Sequence, residues 1–449
     1  MRFLARPLLA LLLVGEAISI SLAVQRTYYV RQVLIYESLA IVLFLAALAL
    51  FAHLRAAGAG SRWFVLGTGA ALQLLALRKP PVDSDDDFRY IWDGKVQLAG
   101  IDPYRYAPSS PGLRSVRDGY LFPNGQCTHY PLSDGSCTRI NLPDVHTIYP
   151  PVAEAAFAVV RFLSFGRGGQ FPLQLAAAIG ALAIAFVLAR GGRSLWTVAL
   201  WSWCPVTVME LGNNAHIDWL AVLLGVLALT AAGRGRILLA GILLGAGVAT
   251  KLYPGLLGAA LLKRRPWVMV GAAVGTVVLV YIPHVAAVGT SVVGYLPTYL
   301  NQGGYGDGRQ YRLLSLVLPN VACTPVAVLI LVATVGWALL RADPTHPERA
   351  ALIVVGVSVL VATPTLPWYS VFLLALAALA ARPEWLGVVL APTVEYLLVG
   401  AGHADLGNAT SYSYLAGGIL LAAGTILRRR QGAGYLTGPH PPRAVAEVP

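Results

Sequence analysis

PLLALLLVGEAISISLAV, residues 7–24, and VLIYESLAIVLFLAALALFA, residues 33–52, decide the fold class. Each run, wound as a helix rising 1.5 Å per residue, is close to the length that crosses a hydrocarbon core about 30 Å thick. Only QRTYYVRQ separates them. The basic start MRFLARP also suits a cleaved signal peptide. A signal's apolar core is shorter and is not usually followed at once by a second run, so residues 7–24 are taken as an uncleaved first span.

The same character extends through the chain, which is 57% hydrophobic and 12% charged over 449 residues, with mean hydropathy +0.66. Apolar runs this frequent suit a multi-span bundle rather than one water-soluble core. The formal net charge of +12 raises nucleic acid as a partner, but the basic residues gather at the ends of apolar runs, as the positive-inside rule expects. Nucleic-acid binding is therefore set aside.

A third run at 63–79 completes an N-terminal unit, 1–79, and from a cytoplasmic N-terminus it puts residue 80 outside. Residues 80–149 are the long polar stretch, with nine of the 21 acidic residues. In it CTHYPLSDGSC, 127–137, sets Cys127 and Cys137 ten positions apart. They are expected to form a disulfide worth about 2–3 kcal/mol on the loop-entropy argument, which needs an oxidising compartment; two unpaired thiols is the alternative. A metal site there is disfavoured, because only His129 lies near and four-ligand spacing is absent.

The segment 150–168 is barely long enough to span and carries Glu154 and Arg161. If it crossed, RGGR at 190–193, GRGR at 233–236 and KRRP at 263–266 would all lie outside, so it is taken as interfacial or re-entrant and grouped with the acidic loop as 80–168. The bundle, 169–427, then has spans at 171–189, 195–212, 216–232, 267–288, 314–340, 349–365, 367–381, 385–400 and 411–427. Within it ILLAGILLGAGVATKLYPGLLGAALL, 237–262, has Lys251 and Pro254 at mid-run, which predicts a broken hairpin. Residues 428–449 form a cytoplasmic tail expected to be disordered.

Chemistry concentrates in three places. PPVDSDDDFRYIWDGKVQLAGIDPY, 80–104, packs Asp83, Asp85, Asp86 and Asp87 into five positions, where mutual repulsion raises at least one pKa or calls for a cation. One such carboxylate suits a general base, and Arg89, Tyr90, Trp92, Asp93 and Tyr104 give the segment the mixed composition of a sugar-binding surface. The bland alternative is an acidic exterior flank. GNNAHIDWL, 212–220, puts His216 and Asp218 at the start of a span, where ionisable groups are costly unless paired or functional. Lys251 in GVATKLYPG is a lone cation in an apolar run, with either a lipid phosphate or a carboxylate such as Asp218 as partner. The phosphate is favoured, since a fixed cation stabilises leaving-group charge. Arg309 and Arg312, and then Trp368 and Tyr369 in TPTLPWYS, rank as weaker substrate contacts beside solvated arginines and an aromatic belt.

SDDDFRYIWDGKVQLAGIDPYRYAP, TIYPP, NNAHIDWLAV, ATKLYPG and PTLPWYS, in that order from 84 to 370, resemble the GT-C polyprenyl-phosphate-sugar-dependent glycosyltransferases of bacterial envelopes, particularly the mannosyltransferase-like branch. The resemblance implies an all-α integral membrane fold, a polytopic bundle of roughly 11–14 segments with an extracytoplasmic loop domain. It also implies an inverting transfer of sugar, mannose being the commoner theme, from a polyprenyl-phosphate donor to a glycan or glycolipid acceptor. The family's base falls on Asp86, with Asp85 beside it; Asp87 and Phe88 depart from the pattern's aliphatic and tyrosine positions, which leaves the choice among Asp85, Asp86 and Asp87 open. The His-x-Asp piece falls on His216 and Asp218, and the lysine before Tyr-Pro on Lys251. No cofactor is implied, and a divalent metal at the acidic cluster stays open. The expected location is the plasma (inner) membrane, with both termini cytoplasmic and the active site extracytoplasmic. A transporter or flippase for an anionic lipid or solute is the alternative, and a non-catalytic envelope scaffold a third.

Overall fold

In the computed structural model, residues 2–25, 30–54, 59–125, 127–165, 169–191, 194–296, 298, 304–400 and 405–431 are described. The chain is a helical, polytopic membrane protein. Among the described residues six helices are long and apolar enough to cross a bilayer: Ala5–Ala23, Gln32–Leu54, Phe171–Arg190, Pro266–Val293, Asn320–Arg341 and Gly407–Arg430. Shorter apolar helices pack between them, and Asp218–Gly233 and Ile237–Val248 are two of these. A short helix serves here because its ends meet protein polar groups rather than lipid.

Among the described residues, two large apolar cores stand beside a small third cluster around Tyr311, Cys323, Ala327 and Val361. The larger joins α1 (Arg2–Ala23), α2 (Val30–Leu54), α3 (Ala59–Ala76), α6 (Phe171–Arg190) and α7 (Leu195–Ser202) to α9 (Asp218–Gly233) and the later helices. The smaller belongs to the polar stretch. Tyr90, Trp92 and Val96 of α4 (Asp86–Leu98) pack on Leu113, Leu121, Phe122 and Ile140, and on Phe157 of α5 (Pro151–Leu163). Gly94 makes the close approach of α4 to α5 possible, since a Cβ there would lie 2.6 Å from the Phe157 carbonyl oxygen. Ala215 and Ile217 belong to this smaller core, so the turn before α9 is where the two cores meet.

The expected spans are adjusted in several places. Run 63–79 is helical over Ala59–Ala76, and the chain then leaves the helix. Run 195–212 is not one helix: α7 stops at Ser202, and α8 (Pro205–Thr207) restarts after Cys204 because Pro205 has no N–H to donate backward. The helix then widens over Val208–Asn213, where the Asn214 N–H reaches the Met209 carbonyl, five residues back. Run 314–340 becomes helical only at Asn320, after a 3-10 turn at Leu314–Leu316. Residues 237–262 are α10 (Ile237–Val248), an unwound stretch at Thr250–Lys251, a 3-10 turn at Tyr253–Leu257 and α11 (Gly258–Leu261). At 1.5 Å per residue α10 is about 18 Å long, too short to span. The last helix runs to Gln431, past the boundary expected at 428, and 432–449 lie outside the described residues.

The polar stretch folds with two short paired strands, Tyr130–Pro131 and Cys137–Thr138, and a disulfide joins Cys127 to Cys137 across a Cα separation of 5.3 Å. Closing this ten-residue separation removes about 2–3 kcal/mol of loop entropy from the open segment. Changing both cysteines to Ser should accelerate limited proteolysis between residues 125 and 137 while leaving the helix content by circular dichroism unchanged.

Candidate active site

The site begins with how the chain leaves α3. The side chain of Asn213 donates to the Ala76 carbonyl at 3.0 Å and accepts from the Val82 N–H at 3.0 Å. Asn214 accepts from the Asp83 N–H at 3.3 Å, and Gln174 of α6 donates to the carbonyls of Lys79 and Asn213 at 2.9 and 2.7 Å. These amides bind residues 76–83 to the turn before α9. Ala215 follows with φ 59°, a left-handed conformation costing roughly 1 kcal/mol or more at a residue with a Cβ. It turns His216 back, so that its N–H reaches the Glu210 carbonyl at 3.1 Å.

Asp86 opens α4, with Asp85 just before it, and carboxylates there meet the positive end of the helix dipole. The two differ in their surroundings. Asp85 accepts a short hydrogen bond from the Tyr130 hydroxyl and one from Asn141 at 2.9 Å. Asp86 accepts from Asn141 at 2.9 Å on one oxygen, while its other oxygen lies 3.5 Å from the Tyr149 hydroxyl and 3.8 Å from Nδ1 of His216. Its side chain keeps 23% of its surface open. Asp86 is therefore held by neighbours yet open to a substrate hydroxyl.

His216 is wholly buried, with Nε2 3.3 Å from a Glu210 carboxylate oxygen and the ring stacked on Trp368 at 4.0 Å. Two residues on, Asp218 starts α9 and accepts from Lys251 at 2.7 Å and from the Tyr253 hydroxyl at 3.0 Å. The Lys251 ammonium also lies 5.4 Å from the Tyr369 ring centroid. The break in the 237–262 segment meets α5 too, where the Val152 N–H donates to the Ala249 carbonyl at 2.8 Å. Asp86, His216, Asp218, Lys251, Trp368 and Tyr369 thus form one connected set. Lys251 is paired with the protein carboxylate, the second of its two expected partners.

Several sequence expectations need correction. Arg89, Tyr90 and Asp93 do not line a sugar-binding surface: all three are buried, as are Trp92 and Tyr104. Positions 86, 89, 90, 93 and 97 share one face of α4, and that face is covered by α5 and the 145–149 segment. Arg89 is bound to Asp93 at 3.0 Å and to the Val145 carbonyl at 3.2 Å. Tyr90 stacks on Phe157 at 4.4 Å, and the Tyr104 hydroxyl bonds the Tyr149 carbonyl at 2.6 Å. These residues build the floor on which Tyr149 stands. Arg309 pairs with Asp307 at 2.6 Å with 70% of its side chain exposed, and no described contact joins it to Asp86. The Arg312 backbone N–H bonds the Thr363 hydroxyl at 3.1 Å, and no described contact joins its side chain to Asp86. Neither arginine belongs to the connected set.

Sequence reasoning missed Glu210, Tyr149, Asn141 and Tyr130 as site residues. Glu210 carried a usable signal, an acid within an apolar run. Tyr149 lay within the quoted TIYPP piece, whereas Asn141 and Tyr130 are ordinary polar residues that only folding brings to Asp85 and Asp86.

Burial pushes the carboxyl of Asp87 well above its usual range, reinforced by the Asp86 and Asp85 charges and opposed by a hydrogen bond from Gln170. Burial thus disfavours the charged form of Asp87 and keeps it away from an acceptor hydroxyl.

The class defined so far is a multi-pass membrane protein with an acid–imidazole cluster where a folded polar segment meets the helical bundle. The model of Glycosyltransferase family 87, a family of GT-C-type membrane enzymes, matches residues 147–364. That match indicates a membrane glycosyltransferase, whose substrates are a sugar donor and an acceptor. No curated protein and no solved structure matches the chain. The matched segment holds His216, Asp218 and Lys251 but begins after Asp86, which the fold carries to it.

Two outcomes follow. Between about pH 4, where an unfolded Asp titrates, and the raised native value, only the unfolded chain releases the Asp87 proton, so this group's contribution to stability falls as pH rises. The melting temperature of Asp87→Asn relative to the natural chain should accordingly climb from pH 4.5 to 7, and a constant difference would show that folded Asp87 is ionised. Asp218→Asn leaves the Lys251 ammonium buried without its partner and should cost about 3–5 kcal/mol, much of it recovered in Asp218→Asn with Lys251→Met, a coupling that a double-mutant melting cycle reads.

Proposed function

We propose that this glycosyltransferase moves a sugar from a polyprenyl-phosphate donor to an envelope glycan or glycolipid, with inversion, and that Asp86 is the general base. The observation that carries the proposal is the meeting of a partly open Asp86 with buried His216, 130 positions apart in sequence, at 3.8 Å. In the step, Asp86 takes the proton of an acceptor hydroxyl as that oxygen attacks the anomeric carbon. The bond from that carbon to the phosphate oxygen breaks, and polyprenyl phosphate leaves with the electron pair. Tyr149 and Asn141 orient the base. His216 offsets negative charge between Asp86 and Glu210 when it is protonated, and Trp368 presents an aromatic ring beside it.

Lys251 is held by Asp218 yet keeps 13% of its side chain open, so a remaining ammonium N–H donates to the departing phosphate. For the transporter alternative, a broken segment around Lys251 that binds an anionic substrate, that lysine is already held by Asp218. Mannose is the sugar proposed first. The proposed setting is the plasma membrane, with both termini cytoplasmic and the Asp86 cluster on the extracytoplasmic face.

Purified protein supplied with radiolabelled polyprenyl-phospho-sugars and a membrane glycolipid extract, with and without chelator, tests this reading. Asp86→Asn should lower transfer by about 10²–10⁴-fold. Asp85→Asn should lose less, since Asp85 only braces Asn141 and Tyr130, and Asp87→Asn should remain active. Full activity in Asp86→Asn rejects the base assignment, and transfer from a nucleotide sugar alone rejects the donor.

A further inference from the structure

The disulfide-closed hairpin of the polar segment touches the transfer site, and the chemistry of the step leaves that touch without a task. Tyr130–Pro131 pairs with Cys137–Thr138, Tyr130 lying opposite Thr138, and the Tyr130 hydroxyl donates to Asp85. A two-stranded hairpin alone is marginally stable, and this one is held at its root, its side and its tip. Thr138 is wholly buried and its hydroxyl donates to the Leu121 carbonyl at 2.9 Å. Cys137 is joined to Cys127, and Asp134 lies 3.4 Å from Arg114 and 3.6 Å from Arg117. Tyr130 is therefore kept in one place. Its side chain is only partly buried, whereas Tyr90 and Tyr104 beneath the site are each 1% exposed. Burial, and then the hydrogen bond to Asp85, hold its hydroxyl above the usual tyrosine range, so the phenol stays the donor of the pair.

The two carboxylate oxygens of Asp86 face different parts of the protein. Oδ1 takes the Asn141 amide, which also holds Asp85 at 2.9 Å, and Oδ2 faces His216 at 3.8 Å. Two residues past His216, Asp218 holds Lys251, the proposed donor to the departing phosphate. Inversion sets the attacking oxygen and the leaving group on opposite faces of the anomeric carbon. With the phosphate on the His216 side, the acceptor enters on the Asn141 side, where Tyr130 stands. Leu142, next to Asn141, is left-handed at φ 45°, strain of the kind that gathers at ligand contacts. An aromatic face set among carboxylate and amide groups suits a sugar, whose C–H face lies on the ring while its hydroxyls meet the polar groups.

We propose that Tyr130 is the platform on which a sugar unit of the acceptor stacks, so that the acceptor is selected by its terminal sugar and not by its lipid. Asp85 and the disulfide act through Tyr130, as the groups that fix the ring. The proposal rests on the reading of Asp86 as the base and adds to it the residue that selects what the base deprotonates.

Purified protein with radiolabelled polyprenyl-phospho-mannose and a membrane glycolipid extract tests it, with label moved to glycolipid and label released to water counted in one reaction. The natural chain should transfer to the extract and should lose that transfer when the extract is first oxidised with periodate, which cleaves sugar diols. Tyr130→Ala should lower the ratio of transfer to hydrolysis about tenfold, the worth of one aromatic contact. Tyr130→Phe should keep the ratio within about twofold, since the ring remains. A role in bracing Asp85 alone would lower both products together and leave the ratio where it was. If Tyr130→Ala misfolds, Tyr130→Leu, apolar but without an aromatic face, is read in the same way. An unchanged ratio in the variant that lacks the ring, or equal use of intact and oxidised extract, overturns the platform. Neither result touches the base, whose own failure shows as full activity in Asp86→Asn.

Discussion

Asn213 and Asn214 are buried amides, and the positions of the site residues follow from what they bind. A buried amide left without partners costs about 1–3 kcal/mol, so each holds its carbonyls and N–H groups firmly. Asn213 grips both sides of the bend between Ala76 and Val82, and Asn214 takes the Asp83 N–H while donating to Glu210 at 3.3 Å. Together they fix where the segment after α3 starts relative to the turn before α9. Asp86 and His216 sit two to four residues beyond these anchors on their respective stretches of chain, and their approach follows from that short tether.

Charge is managed differently in different parts of this small volume. Asp85 and Asp86 share the Asn141 amide as a hydrogen-bond donor at the start of α4. Asp87, one residue on, turns inward, and burial favours its neutral form. Burial likewise raises Glu154, which accepts hydrogen bonds from Thr147 and Gln97 at 2.7 and 2.9 Å beneath Tyr149. Three adjacent aspartates of one sequence motif thus divide into one braced, one open and one buried.

The membrane character and the broken run around Lys251 were legible because each rests on local chemistry: apolar length, and a proline after a lysine. Arg89, Tyr90 and Asp93 misled because the same composition serves a sugar surface or a buried helix face. Their spacing from Asp86 at three, four and seven residues was the available clue to a shared face, but which way that face points depends on α5. Arg309 misled for the opposite reason, being satisfied by its neighbour Asp307 two positions away.

The sequence by itself determined a multi-pass helical membrane chain with an acidic, aromatic polar segment after the third apolar run, since burial of apolar residues in lipid needs no knowledge of tertiary contacts. Only the tertiary structure decided that Asp86 rather than Asp87 is open, that Lys251 is closed by Asp218, and that Glu210 and Tyr149 join the site. The physical reason is range. Hydropathy acts within some twenty residues of chain, whereas the hydrogen bonds and ion pairs that set protonation and access join residues 33, 63 and 130 positions apart.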